Sequence, residues 1–132
     1  MLRISKLADY ACLIMAFVAE TSVPFPNATL VSASLHLGLP SVRKILQLLS
    51  HAGLLRASRG ISGGYQLARP ADQISLLEMI EAVDGKLALT DCCVTQKCHI
   101  IHQCQGQSGW REINQVIAEA LRARKLGSLL HD

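Results

Sequence analysis

The chain has 132 residues, half of them hydrophobic and only 4% aromatic, which suits one compact aliphatic domain plus an appended element. Its longest strongly apolar stretch, from Ala11 to Ala19, is far short of the ~20 residues a membrane span needs, so no membrane association is expected. The formal net charge of +3 is unevenly laid out: Thr21 to Ala71 holds Arg43, Lys44, Arg56, Arg59 and Arg69 with no acid, whereas Asp72 to Asp132 holds eight acidic and six basic residues. A basic half followed by a mildly acidic one fits a polyanion-binding region joined to something else, although a solvated positive face has the same composition.

Arg3 and Lys6 precede the apolar stretch as they would in a secretory signal. Asp9 and Tyr10 interrupt that pattern, and Ala8, Cys12, Ala16 and Ala19 fall at helical spacing. The reading is a core helix from about Ser5 to Glu20, capped by Ser5, with Leu7, Ala11, Ile14, Met15 and Val18 as its apolar stripe. A cytoplasmic chain follows, in which five cysteines favour metal binding or redox chemistry over disulfides.

Pro24 and Pro26 break the chain before a second helix, roughly Ala28 to Leu37, which Gly38 is placed to close. A third helix follows Leu39, with Pro40 in its first turn and Gly53 at its end. Val42, Ile45, Leu46, Leu48, Leu49 and Ala52 supply its buried side. Ser41, Arg43, Lys44, Gln47 and Ser50 are left outward. Two short helices about a glycine-containing turn match a helix-turn-helix whose second member enters the major groove. The outward residues suit that task, since Arg and Lys pair with guanine or phosphate and Gln with adenine. A polar helical hairpin remains the plainer reading.

Leu54 to Ser58 and Tyr65 to Ala68 read as strands around the turn Arg59 to Gly64. This hairpin, or wing, has a basic, glycine-rich tip. Its glycines admit a close phosphate approach, with Arg59 reaching a minor groove. Arg56, Arg59, Ser62, Gly63, Gly64 and Tyr65 are its candidate DNA contacts. An enzyme's phosphate loop is the rival, but the G-x-x-x-x-G-K-[ST] pattern is missing. Ser75-Leu76-Leu77-Glu78 is a capping box opening a helix that ends near Val83, before Asp84-Gly85.

The loop beyond holds Cys92, Cys93, Cys98, His99, His102 and Cys104, with Cys92, Cys98 and Cys104 spaced C-x5-C-x5-C. The spacing departs from paired C-x2-C zinc fingers and suits a loop wrapped round one larger inorganic centre. A Cys3His zinc site stays open. A last helix, about Ser108 to Lys125 with Gly127 closing it, carries Trp110, Ile113, Val116, Ile117, Ala120 and Leu121 on one stripe, a dimer seam for a protein that reads a palindrome. Nothing resembles a substrate pocket or catalytic triad, so no enzyme is expected. The fold expected is mainly α with a small β-hairpin: a winged helix-turn-helix over 1–83, a cysteine-rich loop over 84–107, and a dimerisation helix and tail over 108–132.

These motifs resemble the iron–sulfur-responsive winged-helix regulators typified by IscR. The opening Met1-Leu2-Arg3-Ile4-Ser5-Lys6-Leu7-Ala8-Asp9-Tyr10-Ala11 is similar to the subgroup regulating SUF assembly genes. So are the wing Arg59 to Ala68, the segment Ser75 to Val83, and Trp110 after the three spaced cysteines. The resemblance implies a homodimeric repressor on a palindromic double-stranded operator, with a [2Fe–2S] cluster ligated by Cys92, Cys98 and Cys104. Where the type member supplies a histidine as fourth ligand this chain has Gln107. His102, His99, Cys93 and Asp9 of the partner subunit are the remaining candidates. Zinc is the alternative metal, in a zinc- or thiol-based regulator. Cys12, on the first helix's apolar stripe, reads as core.

Overall fold

The computed structural model describes residues 2–93, 100 and 103–130. It is mainly helical with one two-stranded antiparallel hairpin. Helix α1, Lys6–Glu20, starts where expected: the Ser5 hydroxyl accepts from the Ala8 N–H at 3.0 Å. That hydroxyl also donates to the Asp84 carboxylate at 2.7 and 2.8 Å, tying the start of α1 to the end of a later helix. Ala8, Ala11, Ile14, Met15 and Val18 of α1 are buried. They sit at the centre of a core shared with Val31, Val42, Ile45, Leu46, Leu49, Leu54, Ile74 and Met79.

Helix α2, Ala28–Leu35, is capped by Asn27 and ends two residues before the sequence suggests. Its closing left-handed residue is His36, with φ 57°, not Gly38. The reason lies in Leu37. Its N–H bonds back to the Ser32 carbonyl at 3.1 Å while its carbonyl accepts from the Ser32 hydroxyl. The turn is thereby closed before Gly38, which is free to cap the next helix in ordinary extended conformation. Helix α3, Leu39–His51, has Pro40 in its first turn and buries Val42, Ile45, Leu46 and Leu49. Leu48 is half-buried. Ala52, expected inside, is exposed because it caps the helix and lies past its last packed turn. Ser50, expected outside, is half-buried, and its Oγ is buried without a hydrogen-bond partner among the described residues.

Strands β1, Leu55–Ser58, and β2, Gly64–Leu67, pair in register from Leu55 opposite Leu67 to Ser58 opposite Gly64. Leu55 is buried, and Tyr65 and Leu67 pack on the core from the same face of β2, as alternation requires. Helix α4, Leu76–Asp84, opens with the expected capping box: the Glu78 N–H bonds Ser75 Oγ at 3.1 Å and the Ser75 N–H bonds the Glu78 carboxylate at 2.9 Å. Burial raises the Glu78 carboxyl, but the Ser75 N–H and the Arg69 guanidinium outweigh it and hold the group below its ordinary value.

The last long helix, α5, spans Gln107–Ala123. It stops short of Lys125, and Gly127 does not close it. Residues 124 and 125 run extended beside Ser75: the Leu76 N–H bonds the Arg124 carbonyl and the Leu126 N–H bonds the Ile74 carbonyl, both at 2.8 Å. A one-turn helix, α6, Leu126–Leu129, follows, with Leu126 fully buried. The tail belongs to the winged core because burying Leu126 there offsets the cost of breaking α5. Among the described residues no helix is long and apolar enough to cross a membrane.

Candidate nucleic-acid interface and cysteine loop

Two surfaces carry chemistry. The first is built by α2, α3 and the hairpin. Packing of Val42, Ile45, Leu46 and Leu49 into the core fixes the rotation of α3. By helical periodicity Ser41, Arg43, Lys44 and Gln47 must then face out, and all four are exposed. On the hairpin Arg56, Arg59 and Ser62 are exposed too. Among these candidates on both elements, Arg43, Lys44, Arg56 and Arg59 carry charge, and all of it is positive.

Gly63, Gly64 and Tyr65 stand differently. A Cβ on Gly64 would fall inside the van der Waals radii of the Phe25 and Pro26 carbonyl oxygens, and one on Gly63 would meet the Ser58 carbonyl. Gly64 is buried. The Tyr65 N–H donates to the Pro26 carbonyl at 3.0 Å. These glycines therefore let the chain approach itself, anchoring the hairpin to the α1–α2 connection. Sequence reasoning gave them to a phosphate because it had no sign of the Phe25–Pro26 backbone lying there. It also passed over Ile61, whose side chain at the hairpin tip is 108% exposed.

The second surface is the cysteine loop against the first turns of α5. Asn114 binds the loop at both ends of its amide: it accepts from the Leu89 N–H at 2.9 Å and donates to the Leu87 carbonyl at 3.3 Å. Arg111 Nε donates to the Cys92 carbonyl at 3.0 Å. Cys92 and Cys93 both pair with the Thr90 hydroxyl, at 3.0 and 3.3 Å, and Cys93 Sγ donates to the Trp110 carbonyl at 3.7 Å. The Thr90 hydroxyl holds the Cys93 thiol below its usual range. Cys92, Cys93 and Cys104 are half-buried. Cys104 Sγ and the Trp110 ring both lie against Gly106. Gln107 opens α5.

Cys98, His99 and His102 lie outside the described residues. Among the described residues no three His, Cys, Asp or Glu side chains converge as a metal site. The donor chemistry still fits an iron–sulfur centre: soft sulfurs, accessible from solvent, on a segment pinned to one helix end. Asp9 is exposed on α1. Cys12, read from the sequence as core, is half-buried and packs against the core's edge; burial first, and Asp9 second, push its thiol up to about 11.

Helix α5 has no buried residue. Trp110, Ile113 and Val116 are 47, 49 and 60% exposed, while Ile117 and Leu121 turn inward, lining with Leu2, Ile4 and Ile80 a groove of about 460 Å³.

A helix-turn-helix with a basic outer face and an anchored hairpin defines a winged helix-turn-helix protein. The chain belongs to the Rrf2 family, whose model, described as an iron-dependent transcriptional regulator, matches residues 4–132. It is similar to a protein of Neisseria meningitidis serogroup A named as an HTH-type transcriptional regulator, at 30% identity over 95% of this chain and 83% of that one. The regulator IscR of Aliivibrio salmonicida is 28% identical over 99% of this chain and 79% of its own. Two solved structures share the fold with TM-scores of 0.73. CymR, the global cysteine regulator of B. subtilis, is 21% identical over 98% of this chain and 97% of that chain. T. potens IscR is 24% identical over 98% of this chain and 86% of that chain.

Proposed function

We propose that the chain is a homodimeric, cytoplasmic repressor of iron–sulfur cluster assembly genes of the SUF type, sensing through a [2Fe–2S] cluster held by Cys92, Cys98 and Cys104. Residues 1–83 grip double-stranded DNA at a palindromic operator, 84–107 hold the cluster, and 108–123 pair the subunits. The segment 124–130 serves the winged core instead. Ser41, Arg43, Lys44 and Gln47 read bases in the major groove. Arg56, Arg59 and Ser62 hold phosphates or the minor groove, on a hairpin that Gly63, Gly64 and Tyr65 anchor. The fourth ligand comes from Cys93, His99, His102 or Asp9 of the partner subunit.

The observation that carries this reading is the bonding of the cysteine loop to α5. Asn114, Arg111 and the Trp110 carbonyl connect residues 87–93 to the helix that bears the exposed apolar face. A cluster bound there supplies a charge and a set of fixed sulfur positions. What the protein contributes is a connection: drawing Cys92 and Cys104 together pulls on residues bonded to Trp110, Arg111 and Asn114, and so on the seam that spaces the two recognition helices. A change of ~3 kcal/mol in that equilibrium alters occupancy roughly 100-fold.

A zinc- or thiol-based sensor with the same DNA-binding half is the second reading, favoured by the half-exposed Cys93 thiol that Thr90 activates. Anaerobic purification with iron, sulfide and zinc counting, absorption spectroscopy and a DNA shift assay tests both. Visible absorption with two irons and two sulfides per chain is expected. A colourless protein holding zinc, or no metal, overturns the cluster and leaves the second reading.

A further inference from the structure

We infer that Ile61 is a DNA-contacting side chain, an apolar finger that the hairpin tip places in the minor groove beside Arg59. The inference rests on the DNA-binding reading above.

Ile61 lies in the five-residue loop between Ser58 and Gly64 and is fully exposed. A branched aliphatic side chain in water at a protruding tip gains nothing for the fold. The stalk beneath it is rigidly held. Gly64 is buried against Phe25 and Pro26, Tyr65 bonds the Pro26 carbonyl, and the Ala68 N–H bonds the Leu54 carbonyl at 3.1 Å. The tip is therefore presented in a fixed place, and its contact costs little ordering entropy.

Charge selects the occupant. Arg59 lies in the loop and Arg56 on the strand below it, Ser58 and Ser62 are exposed beside the tip, and no acid occurs between Thr21 and Ala71. A strongly acidic surface fits this neighbourhood, and duplex DNA combines dense negative charge with apolar sugar walls. With the outer face of α3 directed to the major groove, the hairpin tip meets the adjoining minor groove. Aliphatic wedges are used there because that groove offers few polar groups to desolvate. The guanine amino group is the exception. An aliphatic side chain on the groove floor disfavours it, so Ile61 should impose a preference for A·T pairs under the tip.

The test uses the full-length protein, with a duplex it selects from a random-sequence pool as the probe. Ile61→Ser should lower affinity about 5–10-fold with the salt slope unchanged, because no phosphate contact is lost. Ile61→Leu should bind as the parent does. Arg59→Ala should lower affinity and reduce the salt slope by about one. Ile61→Ser should also relax the A·T preference when selection is repeated. If Arg59→Ala weakens binding and Ile61→Ser does not, the inference fails and the DNA-binding reading stands. Loss of salt slope in Ile61→Ser overturns it as well, because the substitution has then acted by displacing the phosphate contacts of neighbouring cations and not by removing an apolar one. If the parent selects no duplex, the DNA-binding reading itself fails.

Discussion

The winged half and α5 obey the same periodic rule with opposite outcomes. Helix α1 directs Ala8, Ala11, Ile14, Met15 and Val18 into a core its own chain completes. Helix α5 carries an equally regular stripe and buries none of it, leaving Trp110, Ile113 and Val116 about half exposed. Amphipathicity states that a face will be covered and is silent on what covers it. For α1 the cover is α3 and α4. For α5, one edge of the stripe is met by α4 and the N-terminal segment, and among the described residues the remainder is left uncovered.

The sharpest way to break this contrast is to charge each face. Ile113→Glu combined with Val116→Glu should leave the thermal transition of the isolated subunit almost unmoved, convert dimer to monomer in light scattering, and weaken operator binding by on the order of 100-fold as avidity is lost. Ile45→Ala, in the winged core, should instead cost about 2–5 kcal/mol of stability in urea titration. A double glutamate variant that stays dimeric would mean α5 is not the seam.

Glycines sharpen the same contrast, because the identical substitution should change sign between regions. Gly64→Ala would drive a methyl into the Phe25 and Pro26 carbonyls and should cost about 1–3 kcal/mol. Gly109→Ala, in the first turn of α5 with nothing within 4 Å of the added carbon, should stabilise by up to about 1 kcal/mol. Urea midpoints of the two variants moving in the same direction would contradict the packing described for the hairpin.

These positions also show what could be read in advance. The starts of α1 and α4, the outward set Ser41, Arg43, Lys44 and Gln47, and the hairpin were legible because each is dictated by neighbours in sequence: a capping hydroxyl, a period of 3.6, an alternation of two. The docking of Leu126 and the burial of Gly64 were not, since each depends on a segment tens of residues away, and the exposure of Ile61 was not, since an aliphatic residue in a loop carries no local sign of whether anything covers it. The loop cysteines were visible as chemistry through their number and even spacing. How Trp110 engages Cys93 was not, for no local pattern brings together groups 17 residues apart.

Cys12 offers a smaller test of the two environments. Its thiol, pushed up to about 11, stays neutral at pH 8, so iodoacetamide should modify Cys92 and Cys104 of the metal-free protein while sparing Cys12 until the chain is unfolded. The sign for stability follows. Folding favours the neutral thiol, so this contribution is intact below the ordinary value of 9.0 and is lost as pH rises from there towards 11. Equal alkylation rates at pH 8 would mean the Cys12 thiol is no better shielded than those of the loop.

The smallest expected effect concerns the turn between α2 and α3, where sequence and structure disagree about which residue bends left-handed. His36 sits at φ 57°, a conformation that strains a side chain with a Cβ by roughly 1 kcal/mol. Gly38, at φ −61° with open space around it, needs no special freedom. His36→Gly should therefore be stabilising by about 0.5 kcal/mol once the extra entropy of an unfolded glycine is set against the relieved strain. Gly38→Ala should be neutral or stabilising by a similar amount. Had Gly38 been the left-handed closure, its replacement would cost about 1 kcal/mol or more and His36→Gly would be destabilising. Paired denaturation curves distinguish the two, and they report directly on the geometry that hands α3 to the groove, since the path of this turn sets where Ser41 and Arg43 begin.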